Sequence, residues 1–169
     1  MFGKKILSKY CGVFVVIKYD KSDNVKIMFL KTGTVKNISK KTLFSKLPRV
    51  HDPMAKTVFG KGCIGVGHYK AHFKGRDTKA YSIWRAMLRR CYYEPESKPW
   101  REGCYVDEKW LNFQNFASWF EGNYPRDGVR YQLDKDIKKP GNKCYSEDNC
   151  MFVSQIENLK ARRFKNKIL

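Results

Sequence analysis

The apolar residues of this chain change period along its length. Between residues 11 and 35, Val13, Val15 and Ile17 fall on one face and Phe14 and Val16 on the other, the two-residue repeat of a strand. A polar turn, Asp20-Lys21-Ser22-Asp23-Asn24, leads into Val25-Lys26-Ile27-Met28-Phe29-Leu30, which is a hairpin signal. Thr32-Gly33-Thr34 marks another turn before a short strand over residues 35–38. An antiparallel β module over residues 1–60 follows, with an SH3-like barrel as one form it can take. From Thr78 to Cys91 the spacing becomes helical, through Tyr81, Trp84, Leu88 and Cys91, with Ile83 and Met87 beside them. A loop is expected from Glu94 to Gly103, which holds Pro95 and Pro99. Asp107 then reads as the N-cap of a helix carrying Trp110, Phe113, Phe116, Ala117 and Phe120, with Gly122 placed to end it. The fold class is therefore α+β: a small N-terminal antiparallel β module, then a second region over residues 61–169.

Charge sets the function class. The 169 residues carry 35 Lys and Arg against 16 Asp and Glu, a net charge of +19. Solubility of a small domain needs a magnitude of only roughly 2–8, and the excess attracts polyanions. With 15% aromatic residues spread along the chain, the charge sits on a packed fold rather than a disordered basic tail. DNA is the expected partner; RNA or a ribonucleoprotein is the alternative, and a host protein is a further partner open to the N-terminal module. Arg85 and Arg89 form one basic ridge, and Lys160, Arg162, Arg163, Lys165 and Lys167 another. No apolar run approaches the roughly 20 residues that span a bilayer, and a soluble cytoplasmic protein is expected. Gly60, Gly62, Gly65 and Gly67 lack the context of a phosphate-cradling loop and read as turns and tight backbone packing. His51, His68 and His72 read as surface or packing residues, although His68 or His72 could supply a base from a neighbouring element.

The C-terminal segment has the clearest syntax. Residues 131–137 read as a strand, Lys139-Pro140-Gly141-Asn142 as a turn, and Cys150-Met151-Phe152-Val153 as a second strand. Ser154-Gln155-Ile156-Glu157 is a capping box opening a basic helix. The result is a ββα arrangement.

Here Leu133-Asp134-Lys135-Asp136-Ile137, then Tyr145-Ser146-Glu147-Asp148-Asn149-Cys150-Met151-Phe152-Val153, then Asn158, resembles a divergent HNH motif, whose family has a ββα-metal core. Upstream, Trp84 through Met87-Leu88-Arg89-Arg90-Cys91-Tyr92 and on to Trp110-Leu111-Asn112-Phe113 resembles phage HNH-like proteins labelled as homing-endonuclease relatives. The resemblance covers roughly residues 78–165. It implies metal-dependent DNA cleavage, with Asp134 and Asn158 as metal ligands and Asn149 as the orienting Asn. Oxygen ligands suit magnesium or manganese; zinc, through Cys144 and Cys150, is disfavoured by their spacing. The general base of the family is His, and Lys135 stands in its place. Lysine ionises near ~10.4 and is a poor base at neutral pH unless burial or neighbouring cations lower that value. Three readings stay open. Lys135 stabilises phosphate charge while metal-bound water or Asp136 handles the proton; Asp134 and Asp136 together hold the metal; or catalysis is lost and a nucleic-acid-binding scaffold remains.

Overall fold

The computed structural model describes residues 3–19, 23–93 and 102–168, with side chains as far as Ala161. The chain divides into two compact units, Met1–Ala55 and Lys56–Leu169. Among the described residues no helix is long and apolar enough to cross a membrane.

The first unit is an antiparallel meander of β1 (Lys5–Leu7), β2 (Val13–Tyr19), β3 (Asn24–Phe29) and β4 (Val35–Ser39), each paired with its sequence neighbour. The alternation of residue types decides its inner face. Phe14 lies opposite Phe29 and Val16 opposite Ile27, and these four with Val25 are essentially sealed from water. A bulge between Val16 and Lys18 shifts the register of β2. It leaves Ile17 exposed and turns the end of the strand. Residues 20–22 of the expected first turn lie outside the described residues. In the second turn Gly33 adopts φ +71° and donates to the Phe29 carbonyl at 2.9 Å. The one-turn helix α1 (Lys40–Leu43) is capped by the Ser39 hydroxyl, which accepts from Thr42 N–H, and buries Leu43. β1 carries no strong alternation and was not expected.

The second unit begins with a glycine-rich loop and a tight hairpin of β5 (His72–Phe73) and β6 (Arg76–Asp77). Helix α2 (Lys79–Tyr92) is capped by Thr78 and buries Tyr81, Trp84, Met87, Leu88 and Cys91 on one stripe, as the helical spacing predicts. Trp84 donates its indole N–H to the Trp110 carbonyl at 2.6 Å. The expected helix from Asp107 is two elements. Asp107 caps only the 3₁₀ turn Glu108–Leu111, and Asn112 caps α3 (Phe113–Asn123) through Gln114 N–H. Two caps five residues apart give two starts, and Gly122 sits inside the last turn of α3. The loop expected from Glu94 lies outside the described residues as far as 101. The core gathers Phe113, Phe116, Trp110 and Trp119 against α2 and Phe152. Each such side chain contributes roughly 1.5–3 kcal/mol by burial.

The glycine run is spent on close packing. A Cβ on Gly62 would stand 2.5 Å from Leu88, and one on Gly67 would stand 2.2 Å from the Gln114 side chain. Gln114 accepts from Tyr69 N–H at 3.0 Å and donates to the carbonyls of Ile64 and Tyr69. The amide thus replaces the regular structure that this loop lacks.

Downstream come β7 (Tyr105–Val106), β8 (Tyr131–Asp134), β9 (Cys144–Tyr145), β10 (Met151–Ser154) and α4 (Gln155–Ile168). β8 and β10 pair antiparallel, and β7 and β9 pair parallel. The order β8, β10, α4 is the expected ββα arrangement. At the start of α4, Ser154 Oγ accepts from Glu157 N–H at 3.3 Å, and the Glu157 carboxylate accepts from Ser154 N–H at 2.7 Å, which is the capping box read from the sequence.

Candidate metal and nucleic-acid site

β8 is shorter than the expected strand over 131–137 because its last residue turns the chain. Asp134 Oδ1 accepts from the backbone N–H groups of Asp136 and Ile137 at 2.7 and 2.8 Å, an Asx turn that competes with the strand ladder. The register places Asp134 opposite Met151 and Gln132 opposite Val153. Side chains two apart on a strand share a face, so Gln132 and Asp134 lie on one side of the hairpin and Leu133 with Phe152 on the core side. Asn158, in the first turn of α4, is 8% exposed and donates from Nδ2 to Gln132 Oε1 at 2.8 Å. Asn158 therefore reaches the side of the hairpin that carries Gln132, the face on which Asp134 also lies.

Lys135 follows a different course. Only 8% exposed, it donates from Nζ to Asp136 Oδ1 at 2.8 Å and to the Asn142 carbonyl at 2.5 Å, 5.7 Å from the Tyr145 ring centre. Burial alone would lower its ionisation; the hydrogen bond and charge of Asp136 outweigh that and hold the ammonium above the usual lysine value. A charged lysine with its protons committed to two acceptors is not a general base. Nor is it turned out towards a phosphate. The geometry gives Lys135 the task of closing the loop between β8 and β9.

Asn142 is the hub of that loop, although the sequence marks it only as part of a turn. Its Nδ2 donates to the carbonyls of Lys135 and Cys144, and its Oδ1 accepts from Cys144 N–H at 3.0 Å. Asn149 joins at 3.4 Å through its own Nδ2, while its backbone N–H meets Ser146 Oγ. Asn149 thus touches the edge of this hydrogen-bond network. Asp136 stays partly exposed, its side chain at 38%. Among the described residues the second carboxylate oxygens of Asp134 and Asp136 make no hydrogen bond.

The donors suit a hard cation. The carboxylate of Asp134 and the amide oxygen of Asn158 would offer a metal two oxygen donors, and magnesium commonly takes few protein ligands and completes its shell with water and phosphate. No group of three or more His, Cys, Asp or Glu placed to hold a metal occurs among the described residues. The cysteines are free: Cys63, Cys91 and Cys150 are buried, and Cys11, Cys104 and Cys144 half-buried. Burial pushes the Cys91 and Cys150 thiols up to about 12, so both are protonated at neutral pH and are poor thiolate ligands.

The basic residues separate. Arg85 is exposed and stands 3.9 Å from Asp77, whose other oxygen meets His72 Nδ1 at 2.8 Å. Arg89 is exposed one turn further along α2, and Lys160 is exposed on α4. The side chains of Arg162, Arg163, Lys165 and Lys167 lie outside the described residues. His51 stacks on Tyr10 with ring centres 4.1 Å apart, and His68 packs beside Tyr69. No protein-family model matches this chain, and no curated protein or solved structure is found to be similar to it.

Proposed function

We propose that this chain binds DNA and that its ββα unit is a metal-dependent phosphodiesterase site of the HNH-like kind. The observation that carries the reading is Asn158, buried in the first turn of a capped helix and joined through Gln132 to the strand face that bears Asp134. Magnesium or manganese held by Asp134 and Asn158 would polarise the scissile phosphate and stabilise the leaving oxygen. Asp136, partly exposed and with one oxygen held by Lys135, would accept a proton from water. Lys135 and Asn142 hold that loop, and Asn149 braces it. The excess of 35 basic over 16 acidic residues supplies sequence-independent grip on phosphates.

A second reading, a non-catalytic DNA-binding scaffold, is favoured by one observation: the residue at the position of the base is a buried, paired ammonium. Supercoiled plasmid incubated with Mg²⁺ or Mn²⁺ separates the two. Nicking that Asp134→Ala and Asn158→Ala both abolish is expected for the nuclease. Gel shift of the same plasmid without nicking in either metal leaves the scaffold. A log affinity that does not fall with log salt would remove both.

A further inference from the structure

Two cavities of the second unit meet at one lysine. The first, of about 340 Å³, lies beside the β5–β6 hairpin and is walled by Phe73, Tyr69 and Phe120, with Lys70, Lys79 and Arg126 at its rim. The hairpin turn, Lys74-Gly75, has positive φ at both residues, 48° and 75°, the geometry of a tight type I′ turn. It holds Phe73 out at 59% exposure, an apolar ring fixed at the mouth of an apolar pocket. The second cavity, of about 300 Å³, lies between α2 and β8 and is lined by Lys79, Arg90, Arg130, Ser82 and Gln132. The Arg90 guanidinium lies close enough to the buried Tyr145 hydroxyl to act on its ionisation. Lys79 borders both cavities. Its position follows from helix spacing, since Lys79, Ser82, Ala86 and Arg90 form one stripe of α2, on a different flank from Arg85 and Arg89.

We infer that these two cavities form a nucleotide track: the aromatic pocket takes one unpaired nucleobase, and the Lys79–Arg90–Arg130 cleft takes the adjoining phosphate. The inference rests on the DNA-binding reading and deepens it. Flat rings stack on any base and discriminate little among them. The pocket carries three cations against one carboxylate, Glu121, which already accepts from the Tyr69 hydroxyl at 2.8 Å. Such a rim favours an anion, and a nucleotide supplies both the anion and a flat ring for the aromatic walls. A base stacked and paired in a duplex cannot enter; it must be unpaired or drawn out of the helix. Gln132, the partner of Asn158, is among the residues that line the cleft, so the track would adjoin the strand that carries Asp134.

The test uses the full chain in EDTA at low salt, with fluorescence anisotropy on three labelled DNAs of equal length. One is fully paired, one has a central single-stranded gap, and one has the same gap made abasic. The gapped DNA is expected to bind about tenfold tighter than the paired one, with the advantage lost in the abasic DNA and in Phe73→Ala. Arg130→Ala is expected to weaken gapped binding more than paired binding. Phe73 is exposed, so an unchanged unfolding midpoint verifies that its variant is folded. Equal affinity for paired and gapped DNA, or a preference that survives in Phe73→Ala or in the abasic DNA, overturns the track while leaving DNA binding intact. Binding to none of the three removes the DNA-binding reading and the track with it.

Discussion

The two units exclude water by different means. In Met1–Ala55 the inner face is a strand alternation of Phe14, Val16, Val25, Ile27 and Phe29, and any side chain of similar volume and shape would serve much of that purpose. In Lys56–Leu169 the core is ring against ring, as with Trp110 and Trp119 at 4.7 Å, and polar side chains brace it, as Ser8, Thr34 and Asp52 brace the margin of the first unit. Gln114, Lys135 and Asn158 are all under 10% exposed, and no buried side-chain polar atom among the described residues lacks a hydrogen bond. A core of the first kind is specified by pattern. A core of the second kind is specified by particular residues, because a buried polar group left without its partner is costly.

The largest test of this contrast is a pair of truncations. All four tryptophans, Trp84, Trp100, Trp110 and Trp119, fall in the second unit, so tryptophan fluorescence reports that unit alone. Phe113→Ala removes a fully buried ring and is expected to cost roughly 3–5 kcal/mol, lowering the fluorescence-monitored denaturation midpoint. Phe14→Ala costs a similar amount in the first unit and leaves that midpoint in place. Equal shifts from both variants would show that the units unfold as one and would break the comparison.

Backbone packing comes next. Gly65 has φ +78°, and a Cβ there would stand 1.9 Å from Asn112 Oδ1, the atom that caps α3. Gly65→Ala therefore combines left-handed strain of about 1–2 kcal/mol with crowding of about 1–3 kcal/mol. A loss of roughly 2–5 kcal/mol in urea unfolding is expected. Gly60, left-handed but with open space around its Cβ, is the control: Gly60→Ala is expected to lose only the strain. An equal loss at both positions would assign the whole effect to backbone conformation.

What was legible in the sequence follows the same division. The strands of the first unit, the stripe of α2 and the capping box of α4 are local patterns, and the residues that form them also mark them. Lys135 stands in the sequence where the family has a His, and the chain order alone leaves its role open between phosphate charge, a shifted metal site and lost catalysis. Its true partners are the neighbouring Asp136 and the Asn142 carbonyl seven residues on, which becomes its neighbour only when the loop closes. Asn142, Gln114 and Gln132 gave no signal for the same reason: each acts through partners brought near by folding. The β7–β9 pairing is parallel and two residues long, too short for any alternation to register. The stripe Lys79–Arg90 was visible in the spacing, but Arg85 and Arg89 on the other flank drew the reading.

Lys135→Met tests whether that lysine is structural. It removes a buried ammonium from Asp136 and the Asn142 carbonyl. Because Asp136 is partly exposed, the loss is discounted to about 2 kcal/mol. Since Lys135 ionises above the ordinary lysine value, its contribution is fully present below ~10.4 and is lost as pH rises through the higher folded value. The stability gap between wild type and variant is thus expected to hold from neutral pH to about 10 and to close above it. A variant as stable as wild type at pH 7 would return Lys135 to the catalytic candidates.

The smallest expected effect is at the N-terminus of α4. Ser154→Ala removes the hydroxyl that accepts from Glu157 N–H and is expected to cost about 1 kcal/mol, read as a lower unfolding midpoint with the tryptophan signal. Glu157 gives the cap a pH signature. Its hydrogen bond from Ser154 N–H, with a further one from the Ser154 hydroxyl, holds its carboxyl below the ordinary value. That contribution is present above the unfolded glutamate value, ~4.3, and is lost as pH falls through the lower folded one. Glu157→Gln keeps an acceptor but loses the charge, so its deficit is expected to fade below about pH 4 while that of Ser154→Ala persists. The cap also sets the first turn that carries Asn158. In the proposed metal site, a Ser154→Ala variant that lowers helix content without weakening Mn²⁺ binding would mean that Asn158 is held by Gln132 rather than by the helix start.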